Sequence, residues 1–480
     1  MSVLIVILLV SVAMMVSYAV LRDQSTSAHI QSNADNLVSA RQAAMTGLTY
    51  GVRAMHSQDW TGVDTTASRS LGAYERFTVS FTAGDASLGP GSPQYGDIPY
   101  RVTIHSIGEA DDPRGTGRTT SYTVHAVMRL IPRELSNRPT DWSKMEGYTV
   151  YQTKREATDL NFPFQIAGKV RFQGRVNLGL NYPDYYTAWQ SYLYHLGRMP
   201  NQGHPDYRSF TGRTCLPLTE QGGTTSFLFA VQLLGCNATW MGIDEVASDW
   251  VKPANLSTYQ IYPGGPVYEI TQLDEVLSGT VLEPDPLTNP LGLFYRHGNS
   301  KLEGEVLVRG TLFCRDTVEI RGANVRFEPV EMPPLFGETR PIRMPALTGQ
   351  NVKVKPGSET EITGLVAVFD QFLIEKSPAT LPLKLVGRLV TRKLYIRERE
   401  PWDTVNWQQN YMAYAYASST YYPIWLASQG YDSAPRIKMM PDPELVQYHW
   451  TDCSGPIYVP HPNDGGGLRW QMLEWNEGER

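Results

Sequence analysis

The four cysteines, Cys215, Cys236, Cys314 and Cys453, are the side chains with the strongest intrinsic chemistry in this sequence. None forms a C-x-x-C pair, so the spacing argues against a zinc ribbon. In an oxidising compartment four cysteines allow three pairings. Joining Cys215 to Cys236 would close a loop of about 22 residues, worth roughly 3 kcal/mol on the chain-entropy account. The alternative is isolated buried thiols. Nine histidines are scattered, with no H-E-x-x-H or comparable metal spacing. His204-Pro205-Asp206 and His461-Pro462-Asn463-Asp464 set an imidazole near a carboxylate, as proline-rich loops do by chance. There is no G-x-S-x-G elbow, no phosphate loop and no G-x-G-x-x-G. Gly465-Gly466-Gly467 follows Asp464 but lacks the lysine of a phosphate loop. Asp274-Glu275 and Glu283-Pro284-Asp285 carry calcium-type oxygens without calcium-loop spacing, so they read as solvated loop. No catalytic residue, metal ligand or cofactor is assigned.

The most informative element is the N-terminus. Residues 1–21 hold no charged side chain, and about 20 apolar residues suffice for a helix to cross a bilayer. Six Val, four Leu and two Ile together favour insertion by roughly 4–7 kcal/mol. The expected span runs from Val3 to Leu21. A cleaved signal is the main rival, with Ser17-Tyr18-Ala19 as its small-x-small site, but no Lys or Arg precedes the apolar run. Arg22 is offset by Asp23, so charge barely specifies orientation. No proline occurs between residues 22 and 58, and the first glycine is Gly47. Ile30, Ala34, Leu37, Val38, Ala44, Met45, Leu48, Val52 and Met55 recur near helical spacing. A continuous helix over 3–58 would be a rod of roughly 84 Å.

Such a rod must find partners along its length. Small residues let helices approach closely in lipid, where apolar burial itself gains little. Ser11, Ala13, Ser17 and Ala19 are the small positions inside the span. Ala34, Leu37, Ala44, Leu48 and Val52 form the stripe above it, much of it expected to be covered by the chain's own sheet.

Asn36 and the run Gln42-Ala43-Ala44-Met45-Thr46-Gly47-Leu48, set behind the apolar start, resemble the N-terminal region of PilX-type minor pilins and type II secretion pseudopilins. The resemblance spans about the first 60 residues. It lacks the family's short leader ending in Gly and the early Glu, and Met45 stands where an acid is usual. The resemblance implies a pilin-like head, lateral packing against pilin-like or pseudopilin subunits, and a role in type IV pilus or type II secretion-type assembly. It also implies a single-pass inner-membrane protein with its bulk in the periplasm or on the cell surface.

Beyond the helix the chain turns to strands. Alternation over 76–82, 100–107 and 121–127 predicts three half-buried strands in an antiparallel meander. Turn-rich linkers separate them at 89–93 and 111–115. Pro132 and Asn137-Arg138-Pro139 mark a boundary. The expected domains are 1–58, 59–133 and 134–480. In the last, β-branched runs meet glycine repeatedly, as in 302–312, 318–322, 361–368 and 385–390. This suggests the rungs of an irregular parallel β-helix, with a β-sandwich as the alternative. Residues 183–301 and 402–450 break the pattern and read as caps or lateral helices, with 185–193 a helical candidate. The fold class is therefore α+β followed by all-β.

Composition limits what this architecture can do. At 480 residues with 41% hydrophobic content, the chain can build more than one core. Lys plus Arg number 42 against 48 Asp plus Glu, a net charge of −6. A nucleic-acid partner would need a basic excess, and none is present. Two function classes stay open. One is a non-enzymatic envelope subunit whose partners are membrane lipid and pilin-like subunits. The other is a membrane-anchored β-helix enzyme acting on polysaccharide, which would need carboxylates clustered on one face.

Overall fold

The computed structural model describes residues 2–57, 59–114, 117–132, 148–153, 158–160, 164–167, 169–172, 176–178, 224–227, 231–234, 257–334, 337–376, 382–398, 437–442, 447–448 and 469–478. The chain divides into two compact units. The first comprises Met1–Ile131, Ile261–Pro266 and Pro462–Arg480, the second Pro132–Gln260 and Val267–His461.

One helix, α1 (Ser2–Met55), runs through the first unit. Thr26, Thr46 and Thr49 donate their hydroxyls to the carbonyls four residues back, so these polar groups do not compete with the helix. Arg53 in the last turn complements the helix dipole. Strands β1 (Thr66–Ser70), β2 (Glu75–Ala83), β3 (Arg101–Asp111) and β4 (Thr119–Ile131) form an antiparallel meander. The C-terminal strand Arg469–Glu477 adds antiparallel to β4, setting Trp470 opposite Leu130, with a bulge between Met472 and Glu474.

The helix packs on this sheet through Ala40, Ala43, Ala44, Gly47, Leu48, Gly51 and Met55, a face of steps of three and four. Most of these residues are small because the elements lie very close. A Cβ on Gly108 would sit 2.1 Å from the Ala40 carbonyl oxygen and 2.2 Å from the Ala44 nitrogen. Ser106 Oγ donates to the Ala44 carbonyl at 2.7 Å, satisfying the hydroxyl inside the contact. At the end of the helix Trp60 meets Phe81, Tyr262 and Trp470, with ring centroids 5.6–6.2 Å away. Three distant chain segments thus share one aromatic cluster.

The second unit is built almost wholly from parallel pairs. Leu302 pairs with Ile320, Ile320 with Val354, Val354 with Ile374, and Ile374 with Ile396. A second column runs Val306, Val325, Thr360, Leu383, Ile437. A third runs Phe294, Leu312, Leu347, Val366, Leu389, Val150. The hydrophobic members of these columns fall in one buried cluster, so each layer buries its apolar side chains against the next. Along the third ladder the alternate column Tyr295, Phe313, Thr348, Ala367, Val390, Tyr151 is buried as well, as parallel strands covered on both faces are. Corners between ladders demand glycine. Gly310 and Gly387 have φ of 143° and 141°, and a Cβ on either would lie 2.1–2.2 Å from the carbonyl oxygen of Gly292 or Gly364 in the next layer.

Two expectations require correction. The C-terminal strand and Ile261–Pro266 belong with the N-terminal unit, so 134–480 is not one domain. Trp470, Met472 and Trp475 supply the apolar face that completes the sheet beside β4. Residues 271–301 are not an interruption: Val276–Leu282 and Leu293–Arg296 are layers of the stack. The chain also enters the stack part-way along, since Val150 lies on Leu389 and Phe164 on Ile437. The helical candidate at 185–193 and the segment 411–416 lie outside the described residues.

Candidate functional site

The functional feature assembled by these elements is α1 itself, which has two unlike parts. From Val3 to Leu21 its side chains are exposed, with 71% of Val3 and 64% of Leu21 open to solvent. Among the described residues nothing in the first unit covers this stretch, because the sheet begins to bury the helix only at Ala40. The helix is long and apolar enough to cross a membrane, and a signal sequence meets the same description.

Residues expected to pack divide along the same line. Ser11, Ala13, Ser17, Ala19 and Ala34 are exposed, as is Leu37 at 46%. Ala44 and Leu48 are buried against the sheet, and Val52 is half-buried. The structure therefore separates one predicted stripe into an outward-facing part and a part already used. Ala40, Ala43, Gly47 and Gly51, which complete the buried face, stand outside the apolar stripe expected from the sequence. Their common spacing as small residues was the available signal.

A polar cluster fixes the C-terminal strand to the helix. Arg41 on α1 donates to Glu477 at 2.6 Å, and Tyr122 on β4 donates to the other carboxylate oxygen. The hydrogen bonds from Arg41 and Tyr122 hold the Glu477 carboxyl below its ordinary pKa. The bond to Glu477 in turn raises the Tyr122 hydroxyl. On the other face of the sheet His105 and His125 are cross-strand partners with ring centroids 6.2 Å apart. Burial, and then the neighbouring His125, lower the His105 pKa. Burial alone would raise Asp85, but bonds from Ser87 and Arg101 outweigh it and hold the carboxyl low. The Asp85–Arg101 bond ties the loop after β2 to the sheet.

In the second unit the surface charges pair across layers. Lys301 bridges Glu275 at 2.6 Å, Arg309 bridges Glu283 and Glu328, Lys355 bridges Glu375 at 3.0 Å, and Lys384 bridges Glu361 at 2.6 Å. Exposed pairs of this kind contribute little stability individually. Their effect is to leave these carboxylates already partnered. Among the described residues no three His, Cys, Asp or Glu side chains gather as a metal site. Cys314 is buried, its thiol donates to the Gly298 carbonyl at 3.0 Å, and burial pushes its pKa up to about 11. A thiol so suppressed is a poor nucleophile. Cys215, Cys236 and Cys453 lie outside the described residues.

Neither a family model, nor a curated protein, nor a solved structure matches this chain.

Proposed function

We propose that this chain is a non-enzymatic cell-envelope subunit of the minor-pilin or pseudopilin kind, serving type IV pilus or type II secretion-type assembly. One observation carries the reading. A single unbroken helix presents an exposed, uncharged apolar half and then locks its other end to an antiparallel sheet through alanine and glycine. A helix made that way anchors a folded head while keeping its first half available to lipid and to like helices. In this reading residues 3–21 cross the inner membrane once, and the bulk of the protein lies in the periplasm or on the cell surface. The parallel stack is a β-helix head inserted into the pilin-like unit. Its partners are membrane lipid and pilin-like or pseudopilin subunits, which meet α1 between about Ser11 and Leu37 through close packing of small residues. The described ladder carboxylates that are ion-paired favour this reading over a polysaccharide-active enzyme, whose chemistry needs carboxylates free to act.

The test is made in cells. The protein should resist carbonate extraction, and a cysteine placed at Ala34 should cross-link to pilin-like neighbours. Leu37→Asp, in the exposed part of the stripe, should abolish assembly, while Gln31→Asp should be far milder. Full-length protein that is soluble without detergent and begins at Val20 would make the segment a cleaved signal. A fully functional Leu37→Asp protein with no helix cross-link would reduce α1 to a tether.

A further inference from the structure

His105 and His125 stand opposite each other on β3 and β4, on the side of the sheet away from α1, with ring centroids 6.2 Å apart. His125 is only 4% exposed, and its Nε2 is buried without a hydrogen-bond partner. His105 is half-buried, with its Nε2 3.2 Å from the Thr82 hydroxyl. Both positions suit a neutral imidazole. A proton on His125 would put charge into a site shut off from bulk solvent, and an unpaired buried charge is costly. A proton on each ring would set two cations 6.2 Å apart, inside the Debye length of about 8 Å at physiological salt.

The neighbouring strands offer the pair little counter-charge. Across the sheet His105 meets Ser80 on β2, and His125 meets Asn476 on the C-terminal strand. One row to either side, the same face of β2, β3 and β4 carries only uncharged side chains. The nearest acid on these strands is Glu474, which lies opposite Val127 and so diagonal to His125, about 7–8 Å away by strand geometry. Two rows out the charges are already paired. Arg101 bridges Asp85 at 2.9 Å, Arg129 bridges Asp97 at 3.3 Å, and Arg76 bridges Glu109 at 2.6 Å. Asp85 and Asp97 are the acids that the segment between β2 and β3 brings to this face, and both are held by these arginines.

We propose that the histidine pair makes the first unit acid-sensitive: as pH falls through the imidazole range, protonation of the pair loosens β3 and β4, and with them the sheet's hold on α1. The path to the helix is short. Ser106, next to His105, donates to the Ala44 carbonyl, and Gly108 lies against Ala40. Burial and the neighbouring His125 lower the His105 pKa, so the unfolded chain binds more protons below about pH 6.5. Stability is full above that value and is lost as pH falls through it toward the lower folded value. The device works whether or not α1 crosses a membrane.

The experiment is hydrogen–deuterium exchange of the full chain in detergent micelles, read on peptides from residues 101–131 and corrected for the intrinsic pH dependence of exchange. One excluded proton lowers the folded-to-unfolded ratio by up to about tenfold per pH unit. Protection of the slowest β3 and β4 amides should therefore fall by about fivefold or more between roughly pH 7 and pH 5.5, a window above the ordinary carboxylate range. His125→Leu, which puts a side chain without a titratable nitrogen in the buried position, should remove most of that fall. His29 on α1 and His56 just beyond it, both exposed, remain in the variant, so a pH effect of theirs would survive it. His105→Gln repeats the test at the half-buried position should His125→Leu fail to fold. Protection in the unaltered protein that ignores pH over this window would overturn the proposal. So would a fall that persists undiminished in the folded variants.

Discussion

Glu477 shows how one side chain can hold a strand. It accepts from Arg41 on the helix and from Tyr122 on the neighbouring strand, so a carboxylate joins three elements. Its folded pKa lies below the ordinary value of 4.5, chiefly because of the Arg41 bond. A depressed carboxylate contributes stability that is present above its unfolded pKa and fades as pH falls through the lower folded value. The C-terminal strand should therefore loosen on acidification below about pH 4.5. In Glu477→Gln the amide cannot ionise, so the denaturation midpoint should lose part of its dependence on pH in that window. Subtracting the two midpoint–pH curves cancels the other carboxylates. A flat difference would show that the cluster has no energetic role.

At the scale of elements, the decisive contact is α1 on β3. Overpacking a tight contact costs about 1–3 kcal/mol when side chains can shift. At Gly108 the obstructing atoms are backbone atoms of Ala40, Ala43 and Ala44. Gly108→Ala should therefore cost at least the upper part of that range, about 3 kcal/mol, in denaturant unfolding of the first unit. Gly72→Ala, which meets nothing within 4 Å, should be close to neutral. The helix and three of the four strands of the meander, β2 to β4, were legible from period alone, since one buried face per strand imposes alternation; β1, exposed at four of its five positions, carries no such alternation. The buried face of the helix was only half legible. Hydrophobic periodicity weighs size, while Ala40, Ala43, Gly47 and Gly51 are selected for smallness. The strand Arg469–Glu477 was missed for a different reason. Trp470, Met472 and Trp475 share a face only because the bulge between Met472 and Glu474 absorbs a residue, which breaks the period of two. The ladders likewise hid their repeat: Leu347 follows its partner Leu312 by 35 positions, and Val366 follows Leu347 by 19. The candidate site was legible as an apolar run, because uniform greasiness needs no tertiary context. How far up the helix the sheet reaches was not.

For the whole molecule, the important fact is that one unit is inserted into another. The sheet that grips α1 is finished by the last described strand of the chain, after the entire parallel stack. Removing residues 469–480 should thus damage the N-terminal unit, not trim a tail. Trp470 would leave the aromatic cluster with Trp60 and Tyr262, and Met128 and Leu130 would lose their cross-strand partners. Burying aromatic side chains dominates core energetics. The expected result is protease sensitivity near residues 119–131 and lowered stability of the first unit, with the second unit's transition little changed. If limited proteolysis left β4 intact in the truncated protein, the C-terminal strand would be dispensable.

The same insertion sets a timetable for biosynthesis. Leu130 leaves the ribosome 340 residues before Trp470, the residue that will lie opposite it. At about 5–20 residues per second that gap lasts roughly 17–70 s. Throughout it the nascent chain carries an unfinished four-stranded sheet with β4 as a bare edge. If α1 has already entered the bilayer, as proposed, neighbouring nascent chains are confined to two dimensions while each still lacks its own closing strand. A C-terminal strand from an adjacent copy then meets the same vacant edge, against an own strand that has the advantage of its tether. Correct assembly of this protein is therefore a race between emergence of its own last strand and capture by a neighbour.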